Sequence, residues 1–225
     1  MDRAAFYDAI RDDINLTNQN VVGFDKHLDY IEERGIRLDK AAYGLATSSW
    51  ETALTLHPIR EYGSDKYLRS KKYWPYVGRG LIQVTWKENY IKAAKLLGLP
   101  SDIFVDDPAK LLEWDYALPL LFKGMEVGLY TGKDLDDYLD GVDESDAEDL
   151  REFSNARRIV NGTDKQVTIG KRALVFERGL KAAGYPWDGV DAPSPTPAPP
   201  PPVKPEPSEP AADGWLVRLF RWLFW

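Results

Sequence analysis

Between residues 192 and 210 the chain carries ten prolines in nineteen positions, and neither a helix nor a sheet can be built through such a run. Each proline fixes φ and removes a backbone donor. The segment is therefore predicted to be a semi-rigid polyproline spacer, reaching roughly 60 Å at ~3.1 Å per residue. Whatever folds must fold ahead of it, and whatever follows acts as an appendage. The chain divides on this reading into a folded domain at 1–190, a proline-rich linker at 191–213 and a short tail at 214–225.

One domain of that length can bury a good core. Hydrophobic residues make up 44% of the chain and aromatics 12%, with eight Trp, more than a core alone usually uses. The formal net charge is -7 and no basic cluster is present, which excludes nucleic acid as the main partner. The chain has no Cys and two His, so there is no disulfide framework, no thiolate metal site and little for zinc. The N-terminus, Met1 to Asp8, mixes both charges and has no apolar run. No signal peptide is expected; the protein would be made in the cytoplasm, and a target beyond the membrane would be reached by another route. A monomer is expected.

Helical periods dominate the domain. A short helix is predicted over 3–12. From Asn20 to Arg34, Val21, Phe24, Leu28 and Ile31 recur at spacings of three and four, ended by Gly35. A third helix is predicted from Asp39, as N-cap, to about Thr55, with Ala42, Leu45, Ala46, Ser49 and Ala53 as its packing stripe. At 100° per residue Glu51 then falls opposite Ala42, on a polar face with Thr47, Ser48 and Thr55. By periodicity alone Glu51 reads as a solvated surface residue. Asp107-Pro108 opens a nearly apolar, buried helix through Met125 that Pro119 should kink or split. Nine acids follow in the sixteen positions from Asp134 to Asp149. With Gly141 as turn glycine, Tyr138 and Ala147 fall on ligand positions, so the helix-flanked calcium-loop pattern fails and a solvated loop and short helix are expected, with calcium binding as the alternative. A last helix pair flanks Ile159-Val160-Asn161-Gly162, the second member running from about Gln166 to Ala183.

The stretch Trp50–Tyr90 departs from this pattern. Glu51 and Glu61 stand ten positions apart ahead of a loop rich in rings and glycine, Tyr73-Trp74-Pro75-Tyr76-Val77-Gly78-Arg79-Gly80. Gln83, Thr85 and Asn89 follow. Residues 58–80 show no period, and more than twenty irregular residues inside a compact domain are usually either functional or misassigned. Thr85-Trp86-Lys87-Glu88 reads as a capping box opening the next helix. Paired carboxylates, flat rings and side-chain amides are the parts that a carbohydrate-cleaving cleft requires.

The tail, Gly214 to Trp225, would be about 18 Å long as a helix, too short for a hydrocarbon core of about 30 Å. Arg218 and Arg221 share one face, with Trp215, Trp222 and Trp225 elsewhere. That make-up suits a membrane surface, and docking on a protein groove is the alternative.

At Glu51-Thr52, Glu61, Gly78-Arg79-Gly80-Leu81-Ile82-Gln83-Val84-Thr85 and Asn89-Tyr90 the sequence resembles glycoside hydrolase family 19, nearest its bacterial and phage branch, which includes endolysins that cut peptidoglycan. The resemblance covers roughly 1–187, and Arg157-Arg158-Ile159-Val160-Asn161-Gly162 resembles a later family segment that lines the cleft. It implies a mainly α, two-lobed, lysozyme-like helical domain with the substrate groove between the lobes. It implies Glu51 as general acid, Glu61 as general base with Asp65 as the fallback, and Thr85 helping to hold the water. Gln83, Asn89 and Asn161 would bind sugar hydroxyls and acetamido groups, with Tyr76 and Trp74 near the groove. The family works with inversion and needs no metal or cofactor. Trp50 stands where the family often has His, and Thr163-Asp164 where a second glycine is common. The leading expectation is a lysin hydrolysing β-1,4 bonds of peptidoglycan glycan strands at the cell wall. Alternatives are a chitinase, or a wall-binding, membrane-tethered module without catalysis.

Overall fold

The structure, a computed structural model, describes residues 1–189. The linker and tail expectations, including the membrane-contact residues Trp215, Arg218, Arg221, Trp222 and Trp225, lie outside the described residues. The described chain is mainly helical. In order it runs α1 (Arg3–Ile10), α2 (Asn18–Arg34), α3 (Leu38–Glu51), β1 (Ile59–Arg60), α4 (Asp65–Arg69), β2 (Arg79–Gly80), α5 (Lys87–Leu96), α6 (Ile103–Asp106), a 3-10 turn (Pro108–Leu112), α7 (Trp114–Glu126), α8 (Asp146–Ala156), a second 3-10 turn (Arg157–Ile159) and α9 (Gln166–Ala182). Among the described residues no helix is long and apolar enough to cross a membrane.

Helix α2 follows its sequence signals closely. Thr17 caps it reciprocally with Asn20, each side chain accepting from the other's backbone N–H, and Gly35 closes it in the left-handed region at φ 58°. Phe24, Leu28 and Ile31 turn inward and are fully buried.

Helix α3 differs from its prediction in three ways. Asp39 is not its N-cap; Arg37 is, without a side-chain cap bond, and Asp39 lies buried inside the first turn. There its carboxylate takes both Arg37 Nε (2.7 Å) and Nη2 (2.8 Å), a bidentate pair worth more than a cap to a buried acid. The helix ends at Glu51, since Ala53, Leu54 and Leu56 all turn left-handed. Its polar face is not solvated either: Thr47 and Ser48 are fully buried. Small side chains on almost every side let neighbours close in from all directions. A Cβ on Gly44 would sit 2.2 Å from Phe122 Cε1, so α7 crosses α3 at a point where only glycine fits.

Two packing groups meet on α3. On one side α9 lies against α1, α3 and α8; on the other α7 packs on α5 and the first 3-10 turn, and that turn carries α6 and β2. The long apolar helix predicted to break at Pro119 instead breaks at Glu113, where the backbone is extended, and Pro119 is accommodated inside α7.

Where α2, α3 and α7 converge, His27 is fully buried. Its Nδ1 donates to the Gly23 carbonyl at 2.7 Å, which fixes the tautomer and leaves Nε2 to accept from Ser48 Oγ at 2.9 Å. Trp114 and Phe122 meet the ring edgewise. Burial lowers its pKa from 6.5 to about 4. The unfolded chain therefore binds a proton that the folded chain refuses between those values, and stability present above pH 6.5 is lost as the pH falls towards 4. The His27 contribution to that loss should approach about 3 kcal/mol. Ring NMR across the same range should find His27 neutral until near the low end; titration close to 6.5 would mean the ring is not sealed.

Candidate active site

A cleft of about 620 Å³ opens beside the end of α3, and Glu51 and Glu61 both line it. The two carboxylates arrive by different routes and are held by different means.

Glu51 is the last residue of α3. Thr52 stops the helix, its hydroxyl donating to Ser48 O (2.8 Å) and accepting from Leu56 N (2.9 Å). Arg157 Nη1 donates to Glu51 Oε1 at 2.7 Å, across 106 positions of sequence. Arg157 is itself only 1% exposed, and its Nε reaches Asp164 O at 3.2 Å. Glu51 Oε2 has no hydrogen-bond partner among the described residues, so it is the oxygen available to a ligand.

Glu61 is carried by the strand pair. Ile59 faces Gly80 and Arg60 faces Arg79 in antiparallel register. The next position continues it, with Glu61 N donating to Gly78 O at 2.7 Å. The side chain then folds back: Gly78 N donates to Oε2 (3.0 Å) and the Tyr73 hydroxyl to Oε1 (2.7 Å). Burial first, and then the bond to Glu61, pushes the Tyr73 hydroxyl up to about 12, so it stays a donor at any working pH. Gly78 lets Gln83 lie close: a Cβ there would sit 2.7 Å from Gln83 Oε1 and displace the end of that side chain.

Gln83, Thr85, Asn89 and Asn161 join the two glutamates in the lining. Gln83 is partly committed elsewhere: its Nε2 donates to Ile59 O (3.1 Å) and Gly80 O (3.2 Å), pinning the strand pair. It holds a left-handed backbone at φ 56°, a strain of the kind that functional sites retain. Thr85 does not cap α5. The cap position is Trp86, with no side-chain cap bond, and the Thr85 hydroxyl donates to Gln83 O at 2.8 Å. Its lone pairs remain free to accept from a water. Asn89 Nδ2 donates to Thr85 O at 2.9 Å, which leaves its carbonyl oxygen for a ligand.

Trp74 and Tyr76, expected near the groove, are not among the residues lining it. Arg69 covers the Trp74 ring at 4.9 Å, and Tyr76 packs edgewise on Tyr90 at 5.3 Å. Tyr62, Tyr73, Trp86 and Tyr130 line it instead, with Tyr62 and Trp86 both exposed. A count of rings in the loop marks it as aromatic but cannot say which rings turn inward. Asp65 is exposed, pairs with Arg60 at 3.2 Å and stays out of the lining, so Glu61 is the second carboxylate of this cleft. Trp50 is half-buried beneath the Arg172 guanidinium at 5.6 Å and is likewise absent from the lining. Arg157 had no assigned role in the sequence, although its segment did.

What the fold and cleft define is a mainly helical domain with two converging carboxylates walled by amides, one hydroxyl and aromatic rings. No protein-family model matches the sequence, and no curated protein matches it. Among solved structures it is similar to a mutant of chitinase C, at 17% identity and a TM-score of 0.40, over 85% of this chain and 96% of that one. An overlap of that size leaves the functional reading to the cleft's own geometry.

The Arg157–Glu51 pair can be weighed directly. Arg157→Met keeps most of the packing but leaves a partly buried carboxylate unpaired, and should cost roughly 2–4 kcal/mol of stability. In the Glu51→Gln background the same change should cost less, with a coupling above about 1 kcal/mol in the double-mutant cycle of melts. Additive losses would show that the two groups are neighbours without being partners.

Proposed function

We propose that the protein is a glycoside hydrolase acting on the β-1,4 linkages of peptidoglycan glycan strands, as a lysin, with Glu51 as general acid and Glu61 as general base. The observation that carries this reading is the convergence of Glu51 and Glu61 on one cleft, each anchored from its own element. Resemblance of the Glu51-Thr52, Gly78–Thr85 and Asn89-Tyr90 blocks to glycoside hydrolase family 19 supports it from the sequence side.

The chemistry needs two different tasks from two carboxyl groups. Glu51 delivers the proton on Oε2 to the departing glycosidic oxygen while Oε1 continues to accept from Arg157. The bond from that oxygen to the anomeric carbon breaks, and a water attacks the carbon from the opposite face. Glu61 takes the water's proton. Its oxygens already accept from Tyr73 and Gly78, which fixes the carboxylate plane and leaves lone pairs for the water. Thr85 accepts a second hydrogen bond from that water. Asn89 and Asn161 bind acetamido and hydroxyl groups, and the exposed rings of Tyr62 and Trp86 offer faces for sugars. Inversion requires room for the water, with carboxyl groups about 6.5–9.5 Å apart.

The two-lobed, lysozyme-like description belongs to this proposal, with the cleft as the groove between the α9-side and α7-side groups. So does the place of action: the cell wall, reached after release from the cytoplasm. Chitin is the rival substrate, having the same linkage without the lactyl ether. The tail at 214–225 is proposed to rest on an anionic lipid surface, with Trp215, Trp222 and Trp225 at headgroup level. Arg218 and Arg221 would contribute roughly 1 kcal/mol each.

One zymogram on purified, lipid-free sacculi tests catalysis and tail together. Glu51→Gln should stay folded, at a melt lowered because Arg157 loses its charged partner, and lose ~10²–10⁴-fold in clearing. A chain truncated after residue 210 should clear as the full chain does, yet no longer bind anionic vesicles. Undiminished clearing by Glu51→Gln would remove the acid assignment. No clearing of sacculi by wild type beside clearing of chitin oligomers would move the substrate to chitin, and no turnover of either would leave a binding module. Vesicle binding that survives truncation would remove the membrane role.

A further inference from the structure

The acidic stretch after α7 takes no part in that chemistry, and its placement is not that of a solvated loop alone. Asp143 on the loop, Asp149 in the first turn of α8 and Glu177 on α9 each bring a carboxylate oxygen within 4.8 Å of the others. Asp140, Glu144 and Glu152 form a second such group beside it, so the loop Asp140–Glu144 presses acids onto two helices that already present acids.

Burial makes this costly. Asp149 is 5% exposed and Glu177 3%, and Asp149 Oδ2 is buried with no hydrogen-bond partner. One cation serves the first group: Lys181 Nζ lies 2.6 Å from Asp143 Oδ1 and 2.8 Å from Glu177 Oε1. It makes no ion pair with Asp149. In the second group the Asp140 amide donates to Glu152 Oε2 at 3.4 Å, and no lysine or arginine pairs with any of its three acids among the described residues. Burial, then Glu177, raises the Asp149 carboxyl to about 7. A buried carboxylate left without a partner demands either a proton or a cation.

We propose that Asp143, Asp149 and Glu177 bind a divalent, oxygen-seeking cation of the calcium class, with Lys181 as a tethered competitor for the same carboxylates. Oxygens on opposite sides of such an ion are about 4.8 Å apart, twice a ligand distance near 2.4 Å. The three carboxylates therefore already stand within reach of one centre. Asp143 is exposed, and the outer side is open to the waters that complete six to eight ligands. Lys181 sits on the last turn of α9 with its ammonium 5.0 Å from the Trp187 ring, and its side chain is 39% exposed. It can leave for solvent without unpacking the core. The site is assembled by tertiary contact, which is why the twelve-residue calcium-loop pattern fails on this stretch. The ion would tie the loop to α8 and α9, the helix pair whose connection holds Arg157. The proposal does not depend on the hydrolytic reading.

The test uses the full chain, stripped with a chelator and titrated with calcium chloride alone, read by calorimetry and by thermal melts. Wild type should bind calcium, and its melting temperature should rise by about 5 °C at saturation. Asp149→Asn keeps the shape and removes the buried charge: its calcium-free melt should equal or exceed wild type, and the calcium increment should vanish. Lys181→Met removes the competitor and should bind calcium more tightly than wild type. The proposal fails if neither wild type nor Lys181→Met binds calcium. It fails too if Asp149→Asn keeps the full increment, or if Lys181→Met loses stability that calcium does not restore, which would make Lys181 the permanent counter-ion.

Discussion

A guanidinium sealed to 1% exposure has to be paired, and in this protein the pairing of Arg157 decides where the Glu51 carboxylate sits. Removing two charges from water costs several kcal/mol per ion, returned only when the geometry is close and the remaining donors are used. Arg157 meets that condition with Glu51 at 2.7 Å and the Asp164 carbonyl at 3.2 Å. The result is a tie between the end of α3 and the turn that follows α8. Because α8 and α9 pack on each other and α9 packs on α3, a shift of either helix would be felt at Glu51. The carboxylate is thus positioned by the core and not by a loop.

Glu61 is held on the opposite principle. Its strand pair is short and rests on the first 3-10 turn. Precision comes from one neutral donor on each carboxylate oxygen, a phenol and a backbone amide, and from a register that sets Glu61 against Gly78. One carboxylate faces a cation and the other faces only dipoles. Tyr73 belongs in that account as a positioning residue, since the bond it donates orients Glu61.

Much of this was legible in the residues, and the parts that were not have identifiable causes. The capping of α2 and its Gly35 terminus are local signals, and they appear as read. The approach of Glu51 and Glu61 was legible through motif resemblance and chain spacing. Asp39 and Thr85 each carry a strong capping signal that a competing bond two residues away overrode: the Arg37 guanidinium took Asp39, and the Gln83 carbonyl took the Thr85 hydroxyl. Pro119 sits inside α7. Glu51 read as solvated by periodicity because its partner lies 106 positions away, beyond any local pattern. For the same reason the rings that line the cleft, Tyr62, Tyr73, Trp86 and Tyr130, could not be told from Trp74 and Tyr76 by sequence alone. Side-chain direction in an irregular segment depends on backbone turns, such as the left-handed Trp86 at φ 76°, that composition does not encode.

The central claim is that Glu61 activates a water and does not itself attack carbon, and the stereochemistry of the first product tests it most directly. Proton NMR in the first minutes of digestion of a soluble glycan-strand oligomer, before mutarotation, reports the anomer released at the new reducing end. The account predicts the α anomer from a β-linked substrate. Accumulation of the β anomer would contradict it, because retention requires one of the two carboxylates to form a bond to the sugar.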